Sequence, residues 1–273
     1  MPCYLMPKIL GIVSIKGGVG KTTISAALAS DLVSSYGKKV LLVDANYSAP
    51  NLGFHMDVVL PKRTIHHVLD NKSRIESVIH NKFGVDVIPG SYNYEKPINF
   101  LKLRDKLSRF KNNYDFVVID SSPSMNEELL STMIAADVLF VVTTPDYPTL
   151  SCSLKAAALA RHRGKPIAGL ILNKVRDSRY EIGFDEIEQS SEIPIVARLP
   201  DDLAVLRAVF MRMPVSVYHG GSSFSKEITR LNAALAKKRE KQSFFEILFS
   251  SSKRREVVNR QLLKQGFYTK HFV

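Results

Sequence analysis

The sequence has little cysteine, no tryptophan and no long apolar run. Its two cysteines, Cys3 and Cys152, are too few and too distant for a disulfide framework, which favours a reducing compartment. No segment approaches the roughly 18 uninterrupted apolar residues of a membrane span. Residues 1–7 lack the apolar core of a signal peptide. These absences predict a soluble, cytoplasmic chain.

Clusters of metal-ligating residues are also missing from the sequence. The seven histidines include the pair His66 and His67, but none stands at ligand spacing with cysteine or acidic residues. We therefore expect the histidines to be surface or core residues, and we predict no structural metal.

Length and patterning predict one large α/β domain. The chain has 273 residues, 45% of them apolar, and short apolar runs alternate with helical patterns. That order implies a doubly wound, mostly parallel sheet with helices on both faces. The domain is predicted over residues 8–236 and a basic tail over 237–273. The predicted strands are 9–13, 39–44, 85–88, 116–120, 138–143, 167–172 and 195–199, and the clearest helices are 99–112, 127–136 and 150–162.

A glycine-rich run separates the first predicted strand from a helix. Glycines let the backbone fold around an oxyanion, while N–H groups of the loop and helix point at it, so the pattern predicts a polyphosphate site. Lys21 would reach the β/γ-phosphates and the Thr22 hydroxyl would coordinate Mg²⁺. A turn without ligand is the alternative, which the flanking strand and helix disfavour. The predicted nucleotide-binding residues are Lys16, Gly17, Gly18, Val19, Gly20, Lys21, Thr22 and Thr23.

The loop departs from the ordinary phosphate loop because a second lysine, Lys16, precedes its glycine pair. In this it resembles the deviant Walker A ATPases of the MinD/ParA family, and further matches extend the resemblance over about residues 8 to 236. The resemblance implies a P-loop NTPase fold, ATP and Mg²⁺ as cofactors, and a homodimer formed with ATP. In that dimer Lys16 contacts the phosphates of the other subunit. A solvated loop lysine is the alternative.

Two apolar runs end in acids. Residues 39–44 end in Asp44 and residues 116–120 end in Asp120, which places both carboxylates at the carboxyl edge of a parallel sheet. The resemblance implies that both hold Mg²⁺ through water. Either acid alone could instead be a cap or turn residue.

One position differs from the family pattern. The family carries D-x-D after this strand, and its second acid positions the attacking water, whereas here the triplet is Asp44-Ala45-Asn46. Phosphoryl transfer depends mainly on positioning and charge stabilisation, so Asn46 predicts slow or activator-dependent hydrolysis rather than none. A one-residue shift of the segment could place another group at the water.

Two further sites are implied by the resemblance. Asn173 stands where the family's asparagine recognises adenine, and a similar role is suggested for Pro200 and Asp201. Asparagine and Pro-Asp are also ordinary residues at strand ends, which is the alternative.

The tail is strongly basic. The chain has a formal charge of +12, and residues 237–273 contain ten Lys or Arg against three Glu. A basic segment favours an anionic partner. Phenylalanines bordered by cations are typical of a membrane-surface helix. A helix docked on the body or on a partner, and nucleic acid binding, are the alternatives. The predicted membrane residues are Phe244, Phe245, Ile247, Leu248 and Phe249.

Together these features predict an ATP-dependent switch that positions cell-division or polar machinery at the membrane, as MinD proteins do. We expect an anionic membrane surface and an unidentified protein partner or activator. The alternatives are a ParA-like DNA-partitioning ATPase that binds nucleic acid, and an ATP-binding scaffold with little hydrolysis.

Overall fold

The computed structural model describes residues 9–177, 179–238 and 251–269. Its centre is an eight-stranded sheet in the order β3-β4-β2-β5-β1-β6-β7-β8. Neighbouring strands are parallel except β3 and β4, which are antiparallel. The predicted doubly wound α/β fold is confirmed. The strands are β1 (Ile9–Val13), β2 (Val40–Ala45), β3 (His80–Lys82), β4 (Val85–Ile88), β5 (Phe116–Ser121), β6 (Val138–Thr143), β7 (Ile167–Val175) and β8 (Ile195–Pro200).

Helices cover both faces of this sheet, so its central strands are buried on both sides. One core cluster packs α1 and α10 against the sheet and the other packs α5 and α6 against the opposite face. The α-helices are α1 (Lys21–Tyr36), α2 (Leu52–His55), α3 (Ile65–Leu69), α4 (Leu103–Ser108), α5 (Glu127–Ala135), α6 (Tyr147–His162), α7 (Phe184–Ser191), α8 (Leu203–Phe210), α9 (Val215–Tyr218), α10 (Ser223–Leu235) and α11 (Ser251–Thr269).

The segment predicted as one helix over 99–112 is divided into three short pieces. A 3₁₀ turn over Phe100–Lys102 precedes α4, and a second over Lys111–Asn113 follows it. Within α4 only Leu103 and Leu107 are buried. A single apolar i, i+4 pair anchors about one turn, so packing does not support a longer helix.

Helix α6 begins three residues earlier than predicted. The side chain of Asp146 accepts a hydrogen bond from the backbone N–H of Thr149, at 2.9 Å, and caps the helix. Pro148 stands in the first turn, where its missing N–H costs nothing.

The second half of the predicted tail, helix α11, packs against β8 and α10. Leu263 and Phe267 are buried there, and the Phe267 ring lies 6.3 Å from that of Phe116. The predicted membrane residues 244–249 lie outside the described residues. The tail therefore includes a helix that belongs to the packed body.

Half of the buried residues within 254–267 of α11 are polar, namely Glu256, Asn259 and Arg260. The Glu256 carboxylate lies 2.6 Å from Arg198 Nε of β8 and 2.7 Å from Arg260 Nη1 of the next turn. The Asn259 amide donates to the carbonyl of Ile195 in β8, at 2.8 Å. Charged groups buried in this way depend on one another, because removing one leaves the others desolvated and unpaired. No helix within the described ranges is long and apolar enough to cross a membrane.

Candidate nucleotide site

The phosphate loop joins the end of β1 to the start of α1 through two left-handed glycines. Gly18 has φ +76° and Gly20 has φ +97°, a backbone region that residues other than glycine rarely adopt. A Cβ at Gly20 would lie 2.3 Å from the side-chain nitrogen of Asn173, whereas one at Gly18 would meet nothing within 4 Å. Gly20 is thus needed for packing, and Gly18 leaves the outer side of the loop open to a ligand.

Lys21 begins α1 and is only 6% exposed. Burial lowers the pKa of its ammonium group, and the charge of Asp120 partly opposes that effect. A desolvated cation at a helix N-terminus is arranged to bind an anion. This fits the predicted contact with phosphate oxygens.

Asp120 is the penultimate residue of β5, beside the loop. Its Oδ1 accepts a hydrogen bond from Ser25 Oγ at 3.1 Å, and the Thr22 hydroxyl also hydrogen-bonds to the carboxylate. Its Oδ2 is buried and has no hydrogen-bond partner among the described residues, and burial raises the pKa of the carboxyl. A buried oxygen without a partner next to a threonine hydroxyl fits Mg²⁺ and its water shell. Thr22 and Asp120 would hold the ion, and the ion would supply charge neutralisation for the phosphates.

Asp44 pairs in register with Asp120 across β2 and β5. Its two oxygens accept the backbone N–H groups of Asn46 and Leu52, each at 3.1 Å, and Gly90 adds a third. Burial and then the charge of Asp120 raise the pKa of Asp44 to about 8. The carboxyl of Asp44 thus anchors the chain that follows β2, and its contact with the Mg²⁺ water shell stays a prediction.

Asn46 lies in that anchored segment and is 7% exposed. Its side-chain amide donates to the carbonyl of Ala49 at 2.5 Å, which closes a tight turn. The next two residues are held from α5, because the Glu128 carboxylate accepts the Tyr47 backbone N–H at 3.1 Å and the Ser48 hydroxyl. The segment carrying Asn46 is therefore fixed at several points.

His66 fixes the same segment from a third direction. Its Nδ1 accepts the backbone N–H of Ser91 at 3.1 Å, so its Nε2 carries the proton and donates to the carbonyl of Tyr47 at 3.0 Å. Burial lowers the pKa of the imidazole. The expectation of a core histidine is confirmed for His66, which is 3% exposed. Glu128 was missed by sequence reasoning because an acid in the first turn of a helix usually interacts only with the helix dipole.

The end of β7 contacts the phosphate loop directly. The Asn173 amide donates to the carbonyl of Val19 at 2.7 Å, and Lys174 Nζ donates to the carbonyl of Gly18 at 2.8 Å. β7 runs three residues further than predicted, which brings both side chains to the loop. Lys174 was not among the predicted residues, and a lysine after a strand gives no signal for such a contact.

Pro200 and Asp201 lie at the end of β8, one strand further out. Asp201 forms an ion pair with Arg176 Nε at 2.6 Å, and its backbone N–H donates to the carbonyl of Val175 at 3.0 Å. The adenine contacts of Asn173, Pro200 and Asp201 stay predictions.

A cleft of about 490 Å³ opens beside the phosphate loop. Lys16 is exposed at its wall and has no ion-pair partner within the described ranges. The cleft therefore offers an exposed cation to an added anion, and the charge of Asp146 on the same wall also acts on that cation. Its lining comes from the loop, from the chain after β6 and from the chain after β7, and includes Lys16, Gly17, Gly18, Thr144, Asp146, Lys174, Arg176 and Tyr180.

Large exposed apolar side chains follow the carboxyl ends of the strands, and we name this set the apolar edge surface. Exposed apolar groups that adjoin one another usually mark a contact with another molecule, and within this set the rings of Phe54 and Tyr92 adjoin. Phe210 is the most exposed of them, at 86%. The members are Phe54 and Leu60 after β2, Tyr92 after β4, Met125 after β5, Tyr147 after β6, Tyr180 after β7, and Leu203, Leu206, Phe210 and Met211 after β8.

Comparisons with known proteins agree with this geometry. A family model described as an AAA domain matches residues 7–154, and a second with the same description matches 101–208. An uncharacterised ATP-binding protein of Methanocaldococcus jannaschii is 33% identical over 84% of this chain and 88% of its own length. The septum site-determining protein MinD of Thermotoga maritima is 27% identical over 83% of this chain and 87% of its own.

Solved structures of similar proteins share the fold. The cell division ATPase MinD of Pyrococcus furiosus superimposes with a TM-score of 0.80 at 30% identity, covering 85% of this chain and 99% of that one. MinD of Pyrococcus horikoshii, solved with Mg-ADP, gives 0.79 at 28% identity over 84% and 96% of the two chains. Together with the loop, Lys21 and Asp120, these findings identify ATP and Mg²⁺ as the cofactors. The chain belongs to the MinD/ParA family of P-loop ATPases.

Proposed function

We propose that this ATPase is an ATP-dependent dimerising switch that positions cell-division or other polar machinery at a membrane surface. The observation that carries the proposal is that the strands whose carboxyl ends carry the nucleotide site are followed by segments with large exposed apolar side chains. Relatives named as cell division or septum site-determining proteins support the same role.

Dimerisation would cover the apolar edge surface with a second copy. The rings of Phe54 and Tyr92 lie tilted against each other there, with centroids 5.5 Å apart, and both remain partly exposed. Burial of such groups stabilises an interface by about 25 cal/mol per Å² before the costs of association. Lys16 stands exposed on the cleft wall and would contact phosphates bound by the other copy.

Within each copy, the chain's own residues position the reaction. The loop backbone and Lys21 hold the phosphates, and Thr22 with Asp120 holds Mg²⁺, which neutralises developing charge. Asn46 stands at the place of the water-positioning acid. Its amide nitrogen donates to the Ala49 carbonyl, and its amide oxygen, the one acceptor of the side chain, can accept a hydrogen bond from water. Slow or activator-dependent hydrolysis follows, and the dimer would be long-lived.

The membrane contact would come from residues 237–249, where cations border five large apolar residues. The carbonyl of Lys238 accepts a hydrogen bond from Lys264 Nζ of α11 at 3.1 Å. Residues 239–250 are therefore preceded and followed by parts of the body. Each cation near an anionic surface contributes about 1 kcal/mol, so one copy would bind weakly and two joined copies would bind as a bivalent unit.

Co-sedimentation tests both parts of the proposal. The full chain would be mixed with vesicles of anionic phospholipid, or with duplex DNA, in ATP, in ADP and without nucleotide. We expect sedimentation with vesicles only in ATP. Phe245→Glu with Phe249→Glu should abolish it and leave ATP binding unchanged. Leu101→Glu with Val258→Glu is the matched control, since both residues are exposed and the added charge is equal.

Each part has its own contrary outcome. An unchanged mass by light scattering with and without ATP and Mg²⁺ would contradict the dimer, and Lys16→Ala should lower the dimer population while one copy still binds ATP. Equal sedimentation of the two double variants would contradict the membrane segment. ATP-dependent binding to DNA alone would favour a ParA-like role instead, and normal dimers without phosphate release would favour a scaffold.

A further inference from the structure

His55 links helix α2 to the phosphate loop. Its Nε2 lies 3.2 Å from the hydroxyl oxygen of Thr23, and its Nδ1 lies 3.2 Å from the backbone carbonyl of Asn51. No role for this histidine follows from the loop motif, because it stands 32 residues away from Thr23 in the sequence.

The contacts of His55 determine where its proton lies. A carbonyl can only accept, so Nδ1 must carry the hydrogen that Asn51 receives. In the neutral ring Nε2 is then an acceptor, and the Thr23 hydroxyl donates to it. Thr23 has a single hydroxyl proton, so neutral His55 occupies the only donor that this side chain has.

A phosphate oxygen of the nucleotide would accept a hydrogen bond from the same hydroxyl. Thr23 lies in the first turn of α1, directly after Thr22, where anions bind over the helix N-terminus. A phosphate oxygen has no proton to share and needs a donor. If His55 is protonated, Nε2–H donates to the Thr23 oxygen and the hydroxyl proton becomes available for the phosphate.

We propose that His55 competes with the nucleotide for the hydroxyl proton of Thr23, so that nucleotide binding is coupled to protonation of His55. The proposal depends on nucleotide binding at the loop and not on dimerisation or membrane contact. His55 is then a positioning residue: through Thr23 it sets the affinity for the nucleotide and makes that affinity depend on pH.

The surroundings of His55 fix the sign of the coupling. Burial lowers the pKa of the free imidazole, opposed by the Asn51 carbonyl and by Asp120. A bound polyphosphate raises the pKa of the His55 imidazole. The affinity for the nucleotide is therefore highest when the pH is below the pKa of His55 in the free protein, and it falls as the pH rises through the pKa of His55 in the complex. The other ionisable residues on the elements packed against α2 and beside it are Lys21 and Asp31 of α1, Arg207 of α8, and Asp57, which pairs with Lys82 at 2.8 Å.

Calorimetric titration with ADP at about pH 6 and about pH 8 tests the coupling, since these values bracket the ordinary range of histidine. We expect His55→Leu to bind ADP on the order of tenfold more tightly than the wild type at the higher pH, because the hydroxyl is freed for a charged acceptor. The pH dependence should weaken by the same factor. His162→Leu is the control, since His162 is exposed at the end of α6.

Two further measurements separate this coupling from a packing effect. Adding Thr23→Ala should remove the difference between His55→Leu and wild type, because no shared proton remains. In the wild type, the His55 ring signals in NMR spectra should move toward the imidazolium position when ADP is added near neutral pH. An unchanged pH dependence in His55→Leu, or a His55 ring that stays neutral in the complex, would overturn the proposal.

Discussion

The side-chain amide of Asn173 donates to the backbone carbonyl of Val19, so strand β7 holds the phosphate loop from the side. Asn173 is 4% exposed, and the carbonyl it satisfies is shielded from water with it. The shape of the loop is thus set by a strand that lies more than 150 residues away in the sequence. Gly20 is part of the same arrangement, since only a residue without Cβ leaves room for the amide.

Replacing Asn173 should therefore destabilise the phosphate loop, whether or not Asn173 also contacts the adenine base. Asn173→Ala leaves the Val19 carbonyl unpaired, which costs about 1–3 kcal/mol of stability, and ADP affinity should fall. Urea denaturation and calorimetry measure the two effects. Asn81→Ala, which removes an exposed hydrogen bond to Asp86, is the control. Unchanged stability with lower ADP affinity would instead favour a direct adenine contact.

Lys21→Ala should abolish detectable nucleotide binding. Lys21 is the buried cation at the start of α1, and its removal leaves the phosphates next to Asp120 without compensation. Calorimetry with ATP and Mg²⁺ measures the loss. Lys226→Ala, an exposed lysine on α10, should bind as the wild type does. Retained affinity in Lys21→Ala would contradict the phosphate-loop assignment.

Asn46→Asp should raise the basal rate of phosphate release, on the order of tenfold or more, because a carboxylate holds and polarises water better than an amide. The change also removes the donor to the Ala49 carbonyl, so stability should fall by about 1 kcal/mol. Asn93→Asp adds the same charge at an exposed position outside the segment and should leave the rate unchanged. An unchanged rate in Asn46→Asp would mean that another group already positions the water.

Glu256→Gln should destabilise the whole domain, although Glu256 lies in the predicted tail. The substitution removes the carboxylate that Arg198 and Arg260 both contact, so their buried positive charge is less compensated, at a cost of about 3 kcal/mol. Glu192→Gln is the control, because its ion pair with Arg161 is exposed and such pairs contribute about 1 kcal/mol or less. Equal urea midpoints for the two variants would show that the ion pairs of Glu256 add nothing to stability.

The parts of the molecule that were predictable are those whose signal is local. The phosphate loop, β1 and the acids near the ends of β2 and β5 are each encoded in a few consecutive residues, and Asp44 lies opposite Asp120 in the sheet. The contacts of Glu128 and His66 were not predictable, because each joins segments whose approach is decided by the folded sheet.

The docking of α11 escaped prediction for a different reason. A helix that packs on a body usually presents an apolar stripe, but the inner face of α11 carries Glu256, Asn259 and Arg260, and the buried apolar side chains within residues 254–267 are Leu263 and Phe267. Read without the partner residues on β8, that composition resembles a solvated basic helix. The partner of Glu256 on the sheet, Arg198, lies far from α11 in the sequence, so this ion pair could not be predicted.

Helix α11 also determines how the sheet ends. Strand β8 is the last strand of the sheet, and side chains of α11 bond to its backbone at the Ile195 carbonyl, the Val196 carbonyl and the Arg198 N–H. A strand edge stripped of such partners is a template for pairing with another chain. A fragment that stops before α11 should therefore tend to aggregate through β8. By covering this edge strand, α11 prevents strand pairing between copies of the chain as well as stabilising the fold.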